Sequence, residues 1–130
     1  MGQYLIDNNV ISSYSSYFSG LFNEKAMIFV ADVIDRIPNI SVITQIEALS
    51  WVNTDKRKET VVKEFIEDSN ILSLSTDVVN LSIKIRRSRK IKTPDAIIAA
   101  TAMIHNLTLI TSDSDFNNIE DLKILNPNDL

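Results

Sequence analysis

The sequence has little or none of several residue types on which common catalytic and binding sites depend. It contains no cysteine, which excludes disulfides, zinc ribbons, iron–sulfur clusters and thiol nucleophiles. Its two glycines, Gly2 and Gly20, cannot build a phosphate-binding glycine loop, so P-loop and dinucleotide-binding sites are excluded. His105 is the single histidine. A ribonuclease built on a pair of histidines and a histidine-rich metal site are therefore excluded too.

The length and composition are those of one globular domain. The chain has 130 residues, of which 45% are hydrophobic and 23% are charged. This balance is too apolar for a disordered chain and too interrupted for a membrane span, so we interpret residues 1–130 as a single domain with its own core. The first residues show no basic segment followed by a long apolar one, as a signal peptide would. We therefore expect a cytoplasmic protein without a membrane anchor.

Positive charge is concentrated in one short segment of an otherwise acidic chain. Of the 13 basic residues, six lie between Lys84 and Lys92, with no acidic residue among them. The remaining seven are set against 17 acidic residues, so the rest of the chain has a net charge of −10. A run of this kind is usually a solvated helix face. Its alternative use is to contact phosphate groups.

Short apolar segments alternate with helical patterns along the chain. Strands are predicted at residues 4–6, 40–43, 71–74 and 108–110, with a fifth candidate at 123–125. Helices are predicted before Pro38, over residues 44–51, 56–68 and 94–106, and around the apolar stripe of Val78, Leu81 and Ile85. This alternation predicts an α/β fold in which helices cover both faces of a parallel sheet of four to five strands. Ligands bind such folds at the carboxyl ends of the strands.

Acidic residues follow three of the predicted strands and begin one predicted helix. Asp7 comes directly after the first strand, and Glu47 lies in the first turn of the helix after the second. Asp113 follows the fourth strand, with Asp115 two residues later, and Asp95 lies at the start of the apolar helix 94–106. Because the strands are predicted to be parallel, these carboxylates should meet at one edge of the sheet.

Each acid also has a purely structural interpretation. Thr44 and Glu47 have the spacing of a capping box. Thr93, Pro94 and Asp95 form a typical helix start, with Thr93 as the capping residue. Asp7 is the hardest to explain in this way, because an acid at the end of a buried strand has little local benefit. Four acids that converge on one edge favour a shared function.

Converging carboxylates need a positive partner. Two carboxylates about 5 Å apart repel each other by about 3 kcal/mol at an effective dielectric constant near 20. Oxygen ligands without histidine or cysteine are typical of a hard divalent cation, so we expect Mg²⁺ or Mn²⁺. Such ions activate water and stabilise charge on a phosphoryl group during its transfer.

Four segments of the sequence resemble, in order and spacing, the signature segments of PIN-domain ribonucleases. They are YLIDNNVISSY (Tyr4–Tyr14), ISVITQIEALSW (Ile40–Trp51), KTPDAIIAATA (Lys92–Ala102) and LTLITSDSDF (Leu107–Phe116). The sequence is most similar to VapC-type toxins of bacterial toxin–antitoxin pairs. The resemblance implies a PIN-like three-layer fold and a divalent-metal-dependent endoribonuclease that cleaves single-stranded or loop RNA.

The resemblance also assigns roles to residues. The acidic quartet would be Asp7, Glu47, Asp95 and Asp113, supported by Asn9 and Thr111. Asp7, Asp95 and Asp113 would hold the metal, with Glu47 and Asp115 as further candidates, and Asp115 could share or replace the role of Asp113. The residues expected to bind the RNA backbone are Arg86, Arg87, Arg89 and Lys90.

The implied reaction is in-line attack of water on the phosphorus, leaving a 5′-phosphate and a 3′-hydroxyl. Glu47 would either complete the metal shell or deprotonate the attacking water. The implied partners are the RNA substrate, a cognate antitoxin whose extended segment covers the active site, and a second copy of the chain in a homodimer.

Two other functions are open at this point. A receiver domain that accepts a phosphoryl group on aspartate is also a small acidic α/β protein, but Asn8 and Asn9 stand where it would need a second acid. Lys123 is also poorly placed for its late lysine. A PIN-like module without catalytic activity is the other alternative, which the four intact acids disfavour.

Overall fold

The computed structural model describes residues 3–15, 22–52 and 54–130. Within them the chain alternates between strands and helices, as predicted. The strands are β1 (Tyr4–Ile6), β2 (Asn39–Ser41), β3 (Asn70–Leu72), β4 (Thr108–Ile110) and β5 (Ile124–Leu125). The helices are α1 (Asn8–Ser15), α2 (Glu24–Asp35), α3 (Val42–Ser50), α4 (Lys56–Asp68), α5 (Thr76–Ser88) and α6 (Thr93–Ile104). Short 3-10 turns follow at Ser114–Phe116 and Pro127–Asp129.

The five strands form one parallel sheet in the order β3-β2-β1-β4-β5. In the central pair, Leu5 lies opposite Leu109 and Ile6 opposite Ile110. Because side chains alternate between the two faces of a strand, Leu5 and Leu109 enter one core and Ile6 and Ile110 the other. The predicted α/β fold and its fifth strand are confirmed.

Helices cover both faces of the sheet, which gives the three layers expected. On one face, α5 and α6 bury Val78, Ile85 and Ile98 against β1 and β4. On the other face, α1 to α4 form the second core. Helix α6 is buried on nearly all sides, as its apolar sequence predicted. No helix in the described ranges has the length and apolar character needed to cross a membrane.

The boundary between β2 and α3 differs from the prediction. The second strand was predicted to continue to Ile43 and the helix to begin at Thr44. Instead β2 ends at Ser41, whose hydroxyl oxygen accepts a hydrogen bond of 3.1 Å from the backbone N–H of Thr44 and caps α3. The β-branched Val42 and Ile43 therefore lie in the first turn of the helix. The capping box of Thr44 and Glu47 was wrong, so Glu47 has no capping role.

The start of α6 also differs in detail. Thr93 was predicted to cap the helix, but it is the first helical residue, and Lys92 occupies the capping position without a side-chain hydrogen bond. Pro94 and Asp95 lie in the first turn, as the sequence indicated. Asp95 is therefore fixed at the helix N-terminus by backbone geometry, and no capping bond accounts for its side chain.

Candidate active site

Carboxylates gather at the carboxyl edge of the sheet, where β1, β2 and β4 end. Asp7 is the first residue after β1, and its backbone N–H donates to the carbonyl of Ile110 at 3.0 Å, which continues the β1–β4 ladder by one bond. Glu47 comes to this edge on α3, and Asp95 comes on α6. The parallel topology thus brings together residues that lie up to about a hundred positions apart in the chain.

Asp7 is held by hydrogen bonds to both carboxylate oxygens. The backbone N–H of Asn8 donates to Oδ1 at 2.8 Å, and the Thr111 hydroxyl donates to Oδ2 at 2.8 Å. The Asn9 side-chain amide donates to the same Oδ2 and to Thr111 Oγ1, both at 3.1 Å. In turn, the backbone N–H of Ser112 donates to Asn9 Oδ1 at 3.3 Å. Asn9 and Thr111 therefore orient Asp7 and connect the ends of β1 and β4.

The Asp7 carboxyl is buried, with 6% of its surface exposed. Its pKa is raised to about 6, mainly by burial; the bonds from Thr111 and Asn8 oppose this rise, and the negative charges of Glu47 and Asp95 add to it. A buried carboxylate with raised pKa marks a position where the fold tolerates an unfavourable charge, as functional sites often do.

A second group of acids lies beside Asp7. Carboxylate oxygens of Asp95, Asp113 and Asp115 all lie within 4.8 Å of one another. Asp113 caps the 3-10 turn that follows it, because its Oδ1 accepts a bond of 2.9 Å from the backbone N–H of Asp115. Its own backbone N–H donates to Thr111 Oγ1 at 3.1 Å. The structure thus brings both Asp113 and Asp115 to the site. We refer to these three carboxylates as the acidic cluster.

The carboxylates of the site raise the pKa values of one another. Burial is the main cause of the raised pKa of Asp95, followed by repulsion from Asp113 and Asp115, and Lys92 opposes both. Burial and the charge of Asp95 raise the pKa of Glu47 as well. Glu47 and Asp7 lie outside the acidic cluster but close enough for these charges to affect one another.

The donor set fits a hard divalent cation. The oxygen ligands come from several carboxylates, at spacings that are unfavourable for negative charges alone. The carboxylates also differ in exposure, from buried Asp7 to exposed Asp115, so the group opens toward solvent on one side. Such a half-open carboxylate group is suited to an ion that keeps positions for water and substrate.

The basic segment lies next to the acids, but its members are not equivalent. Arg86, Arg89 and Lys90 line a cavity of about 570 Å³ together with Lys92 and Asp115. Arg87 is exposed and is not among the residues that line this cavity. Arg87 was among the residues expected to bind RNA from the sequence, and Lys92 was not. The position of Lys92 directly before the Thr-Pro helix start was the available signal.

Comparison with known proteins agrees with this geometry. The sequence model of the PIN domain matches residues 4–122. A search of curated protein sequences gives no significant match. Among solved structures, the chain is similar to one in a toxin–antitoxin complex from Klebsiella pneumoniae, with 29% identity, a TM-score of 0.70 and coverage of 95% of this chain and 97% of that chain.

Two further structures are similar over nearly their whole length. FitAcB from Neisseria gonorrhoeae has 27% identity and a TM-score of 0.72, covering 95% of this chain and 97% of that chain. DNA-bound VapBC from Salmonella typhimurium has 21% identity and a TM-score of 0.77, covering 98% and 99%. The last likeness is evidence of the fold alone. Because the PIN model matches well over half of the sequence, the resemblance to PIN-domain proteins is confirmed, and this chain belongs to the PIN-domain family.

Proposed function

We propose that this protein is a divalent-metal-dependent endoribonuclease and the cytoplasmic toxin of a toxin–antitoxin pair. The observation that carries the proposal is the acidic cluster of Asp95, Asp113 and Asp115 beside the buried Asp7. The fold alone does not require these acids to lie close together, since each could cap a helix or face solvent by itself. Their mutual repulsion is unfavourable unless a cation lies among them, and the same cation would attract an anionic substrate.

The acidic cluster and Asp7 would hold Mg²⁺ or Mn²⁺. When bound there, the cation lowers the pKa of water and stabilises charge on the phosphoryl group. Asn9 and Thr111 keep Asp7 in one orientation through the hydrogen bonds described above. Their role is to position the carboxylate, because neither side chain needs to touch the RNA to do so.

Glu47 is the residue we assign as general base. It makes no capping bond, and desolvation together with the charge of Asp95 raises its pKa, which makes the carboxylate a stronger proton acceptor. In the proposed reaction, water forms a bond to phosphorus, the bond to the 3′ oxygen breaks, and Glu47 receives the proton from the water. The departing 3′ oxygen takes a proton from solvent water, so the products carry a 5′-phosphate and a 3′-hydroxyl.

The surface beside Glu47 supports a protein partner. Trp51 and Glu47 line one cavity of about 370 Å³. Ile46, Leu49 and Trp51 on and after α3 expose 56%, 49% and 49% of their surface. Apolar side chains gathered next to an active site are suited to a protein that covers it. We propose that the antitoxin binds here through an extended segment that brings a basic side chain to the acids, and that the toxin forms a homodimer.

The proposed function is tested by RNA cleavage with variants that remove charge and keep shape. Glu47→Gln and Asp95→Asn should each lower the rate by roughly 10²-fold or more in Mn²⁺, the usual scale for loss of a catalytic acid or base. Glu64→Gln is the matched control, because Glu64 is an exposed acid on α4 and its substitution removes the same amount of negative charge. If Glu47→Gln cleaves as fast as this control, Glu47 is not the base. If the unaltered chain does not cleave RNA, the protein is a non-catalytic PIN module.

A further inference from the structure

The cavity beside the acidic cluster has an unusual charge pattern. Its volume is about 570 Å³, and four cationic side chains contribute to its wall: Arg86, Arg89, Lys90 and Lys92. Asp115 and Asn117 line the same cavity. We call this space the basic cavity. Its volume is in the range of small-ligand sites in proteins.

The two arginines of the basic cavity are anchored by main-chain carbonyls. Arg86 Nε donates to the carbonyl of Ile91 at 3.1 Å, and Arg89 Nη2 donates to the carbonyl of Asn117 at 3.1 Å. Each guanidinium group is thereby held in one orientation, while its other N–H groups make no hydrogen bond to any described residue. Arg89 Nε is even buried without a hydrogen-bond partner in the described parts of the chain. Buried donors of this kind are costly unless a ligand accepts from them.

None of these four cations forms an ion pair within 4.0 Å with a described residue, although Lys92 lies close enough to Asp95 to lower its pKa. The ion pairs found among the described residues join Arg36 to Asp32 and Lys56 to Glu59, both far from this cavity in sequence. Asp115 shares the cavity but comes within 4.0 Å of none of its four cations. It instead lies in the acidic cluster with Asp95 and Asp113. The basic cavity and the acidic cluster therefore meet at Asp115, with positive charge on one side and negative charge on the other.

We propose that the basic cavity binds the RNA phosphate next to the one that is cleaved. This inference rests on the proposed function, because it takes the acidic cluster as the site of cleavage. Guanidinium groups fixed in one orientation match the oxygens of a phosphate better than mobile lysines do, and the two lysines add charge. A strand that crosses Asp115 would place one phosphate at the acids and its neighbour among the cations.

Binding is tested with a fluorescent single-stranded RNA of ten nucleotides in EDTA, where cleavage is prevented. Lys90→Gln is the cleanest variant, because the Lys90 side chain makes no hydrogen bond or ion pair to any described residue. Lys25→Gln is the matched control, since it neutralises an exposed cation on α2 that does not line the cavity. Lys90→Gln and Arg89→Gln should each weaken binding several-fold and lower the salt slope by about 0.7, the value for one lost contact with a single strand.

Arg89→Gln also removes the bond to Asn117, so Arg89→Lys separates anchoring from charge. We expect Arg89→Lys to keep most of the salt slope and to lose part of the affinity. The proposal is overturned if Lys90→Gln and Arg89→Gln behave like Lys25→Gln in both affinity and slope.

A second experiment locates the phosphate relative to the cleaved linkage. For an RNA cut at a mapped site in Mn²⁺, kcat/KM is compared between a four-nucleotide substrate and a dinucleotide that contains the cleaved linkage alone. Lys90→Gln should lower kcat/KM at least fivefold on the longer substrate and by less than twofold on the dinucleotide. Equal losses on both substrates would contradict a neighbouring-phosphate site. Failure of the unaltered chain to cut any RNA would instead refute the proposed function, which the binding assay in EDTA does not test.

Discussion

Replacing Asp95 by asparagine should make the metal-free protein more stable, although most substitutions at an ordered position destabilise a protein. Asp95 makes no side-chain hydrogen bond to another described residue, and carboxylate oxygens of Asp113 and Asp115 lie within 4.8 Å of its own, while Lys92 offsets part of their repulsion. At that distance two unit charges repel by about 0.9 kcal/mol in bulk water and by about 3.5 kcal/mol at an effective dielectric constant of 20. Asp115 is exposed, so screening favours the lower value for that pair.

Two repulsive contacts are lost in Asp95→Asn, so we expect a gain of about 1–2 kcal/mol in the free energy of unfolding. For a domain of this size the gain corresponds to a rise of roughly 3–8 °C in melting temperature. The assay is a thermal melt in EDTA, with Glu64→Gln as the control for net charge. The control should change the melting temperature by no more than about 1–2 °C, in line with a surface substitution.

The same variant should respond less to metal. A ligand present at 100 times its dissociation constant stabilises the folded state by about 2.7 kcal/mol, which the unaltered protein should show with millimolar Mn²⁺. Asp95→Asn should lose most of that shift. The difference in melting temperature between the two proteins should therefore shrink or change sign when metal is added. A lower melting temperature for Asp95→Asn in EDTA, together with an unchanged response to Mn²⁺, would refute the electrostatic reasoning.

Further expectations follow for the neighbouring residues. The raised pKa of Asp7, about 6 in the fold against an ordinary value of 3.8, means that its share of stability is present below pH 4 and is lost as the pH rises through 6. Urea titrations in EDTA should therefore show the free energy of unfolding, relative to that of Asp7→Asn, falling by at most about 3 kcal/mol between pH 4 and pH 7. A difference that stays constant or grows over this range would contradict the prediction. Thr111→Val should lower the free energy of unfolding by about 1–3 kcal/mol, because it removes a donor to Asp7 and an acceptor for two N–H groups. Asp113→Asn and Asp115→Asn should each reduce cleavage less than the double variant does, and equal loss in one single variant and the double would assign the role to that residue alone. The fluorescence of Trp51, the single tryptophan, should shift when the antitoxin binds, and an unchanged spectrum in a stable complex would place the antitoxin elsewhere.

Much of the fold could be predicted because its strands are short, apolar and separated by helical patterns. The alternation of Leu5 and Ile6 between two cores is a direct consequence of strand geometry. The error at β2 has a physical cause. Val42 and Ile43 have strong preferences for strands, but the hydroxyl of Ser41 caps a helix there, and burial of Thr44 and Ala48 stabilises it. A local capping bond thus outweighed propensity over two residues.

The sequence was enough to predict which acids lie at the carboxyl edge of the sheet, but it was not enough to predict how they are arranged there. The positions of Asp7, Glu47 and Asp95 follow from the rule that parallel strands present their carboxyl ends at one edge. The sequence could not decide between Asp113 and Asp115, because the 3-10 turn that presents both depends on a bond between them. Nor could it separate Arg87 from its neighbours, since the register at the end of α5 decides which cations reach the cavity.

The most direct test of the central claim is to sequence the 5′ ends of RNA after incubation with the purified protein. If the sequencing adapter is ligated only to ends that carry a 5′-phosphate, the same experiment gives the chemical nature and the position of each cut. We predict discrete 5′-phosphate ends with Mn²⁺ or Mg²⁺, absent in EDTA and strongly reduced for Asp95→Asn, while Glu64→Gln matches the unaltered protein. Ends that carry a 5′-hydroxyl, or cuts that persist in EDTA and in Asp95→Asn, would contradict a metal-dependent hydrolysis at the acidic cluster.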